Sequence, residues 1–246
     1  GHCAFEKGMG KSTYGTGCFF LLNTGSKPVI SSNGLLTTVA YQLGPEAKPV
    51  YALEGSVAIA GAGMTWLVNS LSILDDAAES ERVARSVDDT AGVYLVPAFT
   101  GLFAPYWRGD ARGVIVGLTQ YTRSAHIVRA MIEAVCFQVV DVVGAMKADS
   151  GLELKEVKVD GGMTKNTLML QTQADLMGSE ILKPEMVEVT AFGAALAAGL
   201  AVGVFKDENA MSKMTEKFIS YQAFNPKNTQ EDREMRMARW KLAIEK

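Results

Sequence analysis

Only three of the 246 residues are cysteine and only two are histidine. Cys3, Cys18 and Cys136 lack CxxC spacing, which excludes a disulfide framework and a structural zinc site as organising features. Reduced cysteines packed as small hydrophobes in a cytoplasmic protein are expected instead. An excess of one charge is also missing. Twenty-four Lys and Arg against 27 Asp and Glu leave a net −3, and no basic cluster is present, so neither nucleic acid nor an anionic membrane is an expected partner. The longest apolar stretches, Ala191–Phe205 among them, are broken by glycine and too short to span a bilayer. The start has no basic segment followed by an apolar run, so it does not read as a secretory signal. It opens on Gly1 rather than Met, and a trimmed beginning with further sequence upstream is expected.

What is present is the balance of a globular domain, 48% apolar and 21% charged. Strands Thr13–Tyr14 and Cys18–Leu22 flank Gly15-Thr16-Gly17, the pattern of a hairpin with a glycine turn. Gly34–Gln42 and Pro49–Leu53 read as strands. A helical pattern runs from Ser56 to about Leu74, interrupted by Gly61 and Gly63, and a polar helix follows at Asp76–Val87. Gly92–Pro97 and Gly113–Leu118 read as strands around an aromatic loop, Phe99–Trp107. Helix Ser124–Ala148 is apolar around much of its circumference (Ile127, Met131, Val135, Val139, Val142), which predicts burial between layers. Strand Glu156–Asp160 ends in Gly161-Gly162, and Thr164 is expected to cap a helix that stops at Gly178. Strand Glu180–Lys183, helix Thr190–Val204 and an amphipathic tail helix Asn228–Lys246, with Met235, Ala238 and Trp240 inward, complete one α/β domain. Its C-terminal portion, from about 205 to 246, reads as a helical extension.

Three glycine-bearing turns fall where an anion can be held. In Thr13-Tyr14-Gly15-Thr16-Gly17, successive N–H groups make a concave anion site, although such a turn also serves purely to close a hairpin. In VKVDGGMTKN (157–166) a strand delivers Asp160, two glycines turn the chain and a helix begins, placing free N–H groups and a positive dipole end at the turn. Asn166 lies one turn on and its amide can reach the same mouth. A merely structural βα turn remains equally open. The spacing fits neither a Walker A loop nor the dinucleotide fingerprint. Ala60-Gly61-Ala62-Gly63 is explained most simply by tight packing.

Acid–base candidates are sparse. His126 sits beside a helix start and His2 at the terminus. Glu54, Glu133 and Asp141 have no spacing that pairs them, and Asp110 with Arg112 suits loop fixation. The residues alone therefore support a phosphate- or nucleotide-binding α/β domain without visible catalytic machinery.

Several runs occur together and in order: EKGMGKSTYGTGCFFLLNTG, GLLTT, YALEGSVAIAGAGMTWL, GVYLVPAFTGLFAPYW, ARGVIVGLT, VDGGMTKNTLMLQTQADLMG and VTAFGAALAAG. In them the chain resembles the FGGY family of carbohydrate kinases, and NTG, GLLTT and APYW resemble its glycerol kinases in particular. Gly113–Leu118, followed after seven residues by His126–Glu133, is similar to the family's C-terminal signature. The resemblance implies an actin-like, ribonuclease H-like ATPase fold with a mixed sheet flanked by helices. It makes 1–246 the C-terminal nucleotide-binding domain, without the N-terminal one. The implied reaction moves the γ-phosphoryl group of ATP to glycerol, giving glycerol 3-phosphate, with Mg2+ as cofactor. By the same resemblance Thr16 meets the β- and γ-phosphates, with Gly15 and Gly17 shaping the turn. Gly61 lies near the nucleotide, and Gly162 and Asn166 hold the adenosine portion. Phe19 packs against the glycerol carbons. Thr65 stands where many bacterial members carry Gln, which implies a weaker or water-mediated base or ribose contact, and Phe103 replaces a Gly. No catalytic residue and no metal ligand is expected in this chain, since the family's base is an Asp in an upstream GDQ motif. The isolated chain is expected to bind adenine nucleotide weakly and not to phosphorylate glycerol. The full-length protein is expected to be a homodimer or homo-oligomer with glycerol and ATP as partners. A related pentulose or polyol kinase, or a non-catalytic actin-like nucleotide-binding module, are the alternatives.

Overall fold

The computed structural model covers residues 1–246. In chain order its elements are β1 (Met9–Tyr14), β2 (Cys18–Gly25), β3 (Leu36–Tyr41), β4 (Val50–Val57), α1 (Gly61–Asn69), α2 (Ser80–Ala84), β5 (Tyr94–Val96), β6 (Val114–Val116), α3 (Ser124–Ser150), β7 (Glu156–Asp160), α4 (Thr167–Met177), β8 (Ile181–Pro184), α5 (Val189–Ala201), α6 (Glu208–Phe218), β9 (Tyr221–Phe224) and α7 (Gln230–Ile244). Short 3-10 turns at Ala77–Glu79 and Gly162–Lys165 lead into α2 and α4.

Seven strands form one mixed sheet in the order β3-β4-β2-β1-β7-β8-β9. The β1–β2 hairpin is antiparallel, whereas β1 lies parallel to β7 in a register that sets Thr13 opposite Asp160. That register brings both glycine turns to the same end of two neighbouring interior strands. Alternation along β2 explains its placement: Cys18, Phe20 and Leu22 are buried against the helices, while Phe19 on the other face is 47% exposed. α3 runs through the core with Met131, Val135, Val139 and Val142 almost wholly buried, as its all-round apolar pattern predicts. It ends at Gly151 in the left-handed conformation, φ 65°.

Several expected boundaries shift. The helix expected from Ser56 begins only at Gly61, because Ser56 and Val57 extend β4 opposite Phe19 and Cys18 of β2. Gly63 packs on Met131 of α3, in agreement with the packing explanation of its turn. The polar helix shortens to a 3-10 turn plus α2. β5 and β6 stand apart as a two-stranded ribbon packed on α3 and α7. The tail is not simply a helical extension, since β9 adds antiparallel to β8 as the seventh strand. In α7, Met235 is 45% exposed and Ala238 is exposed, so the inward face is Met237, Trp240 and Ala243 instead. Trp240 sets that rotation. It stacks on Phe137 with ring centroids 5.1 Å apart and donates its indole N–H to Asp141 at 2.7 Å. No helix is long and apolar enough to cross a membrane.

Candidate functional site

The three glycine turns found in the sequence meet. Within the hairpin, the Gly15 N–H donates to the Gly17 carbonyl at 2.8 Å. The start of α1 then clasps the hairpin tip: Gly61 N–H donates to the Gly15 carbonyl at 2.9 Å, and the Ala60 and Ala62 N–H groups both donate to the Thr16 carbonyl at 3.0 Å. A Cβ on Gly61 would stand 2.7 Å from the Gly15 oxygen, so this contact requires glycine. Gly161 locks the second turn onto the first. Its φ is +96°, and a Cβ there would collide with the Tyr14 backbone just before the hairpin turn.

Between these turns opens a cavity of about 620 Å3, with Gly15, Thr16, Gly61, Thr65, Gly162 and Asn166 on its wall together with Ser80 and Glu81. That volume suits a ligand of nucleotide size. A second cavity, about 410 Å3, lies on the far side of Asp160. It is lined mainly by apolar side chains and includes none of the three glycine turns.

The two walls differ in how their N–H groups are used, and Lys165 stands on the second. The Thr16 and Gly17 N–H groups make no hydrogen bond to other backbone, and neither does that of Gly162. The N-terminus of α4, where the sequence points to an anion site, is already filled. Glu81 accepts the Thr167 N–H at 3.0 Å, the Thr167 hydroxyl at 2.6 Å and the Leu168 N–H at 3.2 Å. Asn166 Oδ1 accepts the Met169 N–H at 2.9 Å. Asn166, not Thr164, is therefore the cap. Thr164 instead donates its hydroxyl to the Gly161 carbonyl at 2.7 Å. Burial pushes the Glu81 carboxyl pKa up, but the bonds from Thr167 and Arg85 outweigh it and hold the group below its ordinary value.

Thr65 is exposed on the cavity wall, its hydroxyl 3.4 Å from the Gly61 carbonyl. Gly17 closes the hairpin from outside that wall. Phe19 does not reach this cavity; it lies on the opposite sheet face, in register with Thr13 and Ser56.

Sequence reasoning passed over Ser80 and Glu81, because nothing local ties them to Asn166 and Thr167, 86 residues further along. It also passed over His2, which is no frayed end: it is 6% exposed and its Nε2 lies 2.6 Å from Asp160 Oδ2. Burial lowers the His2 pKa, and the Asp160 bond opposes it only in part. Of the remaining carboxylates, Glu133 and Asp141 fasten the fold. Glu133 receives Arg129 and Arg236, and Asp141 receives Tyr106 and Trp240. Asp110 pairs with Arg108 rather than with Arg112. His126 is buried and accepts the Arg123 N–H at 2.9 Å, fixing the start of α3. No group of three or more His, Cys, Asp or Glu is placed to hold a metal ion.

The fold and the glycine-walled cavity define an actin-like α/β domain of the kind found in carbohydrate kinases. Residues 10–202 match the C-terminal domain of the FGGY family of carbohydrate kinases, and the chain belongs to that family. It is 51% identical over 246 residues to the probable glycerol kinase of Dictyostelium discoideum, covering all of this chain and 44% of that protein. It is 51% identical over 251 residues to the glycerol kinase of Arabidopsis thaliana, covering 99% and 48%. The solved structure of Plasmodium falciparum glycerol kinase with ADP superposes with a TM-score of 0.93 at 39% identity, over 99% of this chain and 48% of that one. A xylulose kinase from Lactobacillus acidophilus, at a TM-score of 0.79 and 20% identity, shares the fold. The chain spans about half the length of the curated relatives it matches.

Proposed function

We propose that this chain is the nucleotide-holding half of an ATP:glycerol 3-phosphotransferase, with the cavity between the hairpin and the Gly161-Gly162 turn as its ATP site. The observation that carries the reading is that the hairpin wall keeps a free amide while the helix N-terminus on the other wall is capped. The free amide of Thr16 on the hairpin wall suits phosphate oxygens, whereas on the opposite wall, which also carries Lys165, Glu81 and Asn166 cap the N-terminus of α4 and leave Ser80 and the Asn166 amide to meet a nucleoside. In this reading Thr16 meets the terminal phosphates, Gly15 and Gly17 shape that turn, and Gly61, Thr65, Gly162 and Asn166 surround the rest of the nucleotide. The relatives are glycerol kinases, one of them solved with ADP, which favours glycerol over a pentulose as acceptor.

Phosphoryl transfer asks a protein chiefly for in-line positioning and for stabilisation of charge on the transferring group. The hairpin amides are pre-aimed for the second task, being fixed by α1 before any ligand arrives. No free general base lines the cavity, since its one carboxylate, Glu81, is occupied. Proton removal from glycerol and most of its grip are therefore assigned to the portion of the relatives that this chain does not span. Phe19 is the contribution from this side, a ring nearly half exposed two residues beyond the hairpin turn. The cavity also lacks a carboxylate free to take magnesium, which binds through carboxylates and nucleotide phosphates together. The residues here do not make a magnesium site.

Gly162 provides the test. A Cβ there meets nothing within 4 Å and its φ is not in the left-handed region. Gly162→Leu therefore fills the mouth of the cavity without disturbing the fold. Titration calorimetry with ADP should show binding by the chain that falls more than about tenfold in Gly162→Leu while the melting temperature stays within a few degrees. Equal affinity in the two proteins would place the nucleotide elsewhere.

A further inference from the structure

Glu81 is the one carboxylate on the cavity wall, and three of its hydrogen bonds run to a helix that begins 86 residues later. Arg85, one turn along α2, closes the arrangement. Its Nε donates to Glu81 at 2.9 Å and its Nη2 donates to the Thr167 hydroxyl at 3.0 Å. An ordinary i,i+4 ion pair on a helix surface contributes little. This pair differs because the carboxylate also satisfies the first two free N–H groups of α4, and Asn166 takes the third. Any ligand anion arriving at that helix end would have to displace a bound carboxylate. At the hairpin, no such displacement is needed.

We propose that Glu81 is a positioning residue of the nucleotide site. By filling the N-terminus of α4 it holds the 77–81 wall against Asn166 and closes that helix end to the phosphates of the ligand. The phosphates are thereby directed to the hairpin. This rests on the nucleotide reading above.

The test uses adenosine, which is uncharged, and inorganic sulfate as separate probes of the isotope-labelled chain, followed by amide chemical shifts. Wild type should bind adenosine with shifts near Asn166 and show no sulfate response at Thr167 or Leu168. Glu81→Ala should lose about tenfold in adenosine affinity and gain a saturable sulfate response at those two amides, with adenosine and sulfate competing. A purely structural role for Glu81 would not create that anion site. Glu81→Gln keeps the shape and a neutral acceptor, so its adenosine affinity should fall only about threefold. It carries the test if the alanine variant fails to fold. Adenosine binding as tight as wild type in either variant, or a folded Glu81→Ala chain blind to sulfate, overturns the proposal. Failure of the wild type to bind either adenosine or ADP overturns the reading of the cavity, and this proposal with it.

Discussion

The hairpin at Gly15-Thr16-Gly17 and the turn at Gly161-Gly162 carry the same signal in sequence, paired glycines at the end of a strand, yet only the second leads into a helix whose N-terminus is capped by side chains. At the hairpin the backbone carbonyls are consumed by α1 and two amides are left free. At the second turn the following helix begins with its amides consumed by Glu81 and Asn166. A glycine turn therefore announces only that the backbone can approach something closely. Whether that something is a ligand or another part of the protein depends on which side chains the rest of the fold brings to the nearest N–H groups.

The hardest blow to this arrangement is at the joint between the turns. Gly161 sits at φ +96° against the Tyr14 backbone, so Gly161→Val adds both conformational strain and a steric clash. It should cost on the order of 3 kcal/mol or more and lower the melting temperature by well over 5 °C, with loss of ADP binding. An unchanged melting curve would mean that the two turns are not mechanically joined.

A milder pair of substitutions separates the two ends. Asn166→Ala removes the cap on Met169 and should cost about 1 kcal/mol of stability, weakening adenosine and ADP alike. Thr16→Ala leaves the backbone hairpin intact and should weaken ADP about fivefold while leaving adenosine unaffected. If Thr16→Ala weakened both ligands equally, the assignment of phosphate and nucleoside ends would be reversed or void.

The contrast also marks what was legible beforehand. The hairpin, β7, the exit of α4 at Gly178 and the whole of α3 follow from local pattern: alternation in β2, a long apolar helix, a left-handed glycine stop. Gly61 and Gly161 were legible because a backbone that must approach another backbone shows itself as glycine whatever its partner. Features set by distant partners were not. Glu81 reads as a surface charge on a polar helix until Thr167 arrives, and His2 as a loose end until Asp160 does. The face of α7 was misjudged because Trp240 takes its orientation from Phe137 and Asp141, about a hundred residues earlier, rather than from the heptad-like spacing around it. β9 is only four residues long with two of them exposed, which gives too little alternation to separate a strand from a loop.

The smallest effect expected is also the one that isolates the electrical difference between the two turns, because only one of them contains a titrating group. Glu81 is held below its ordinary pKa of 4.5, burial pushing it up and the Thr167 and Arg85 bonds pulling it further down. Its contribution to stability is therefore complete above about pH 4.5 and drains away as the pH falls through the lower, folded-state value. Glu81→Gln removes that dependence. The gap in melting temperature between wild type and Glu81→Gln should be widest near neutrality and narrow steadily below pH 4.5. Other depressed carboxylates, such as Asp149, which burial pushes up but the Ser31, Ser32 and Asn33 bonds together hold at about 2, act in both proteins and cancel in the difference. The matching gap for Thr16→Ala should stay flat over the same range, since the hairpin turn holds nothing that titrates. A flat gap for Glu81→Gln would show that the α4 cap works through shape alone and that the charge of Glu81 is incidental to it.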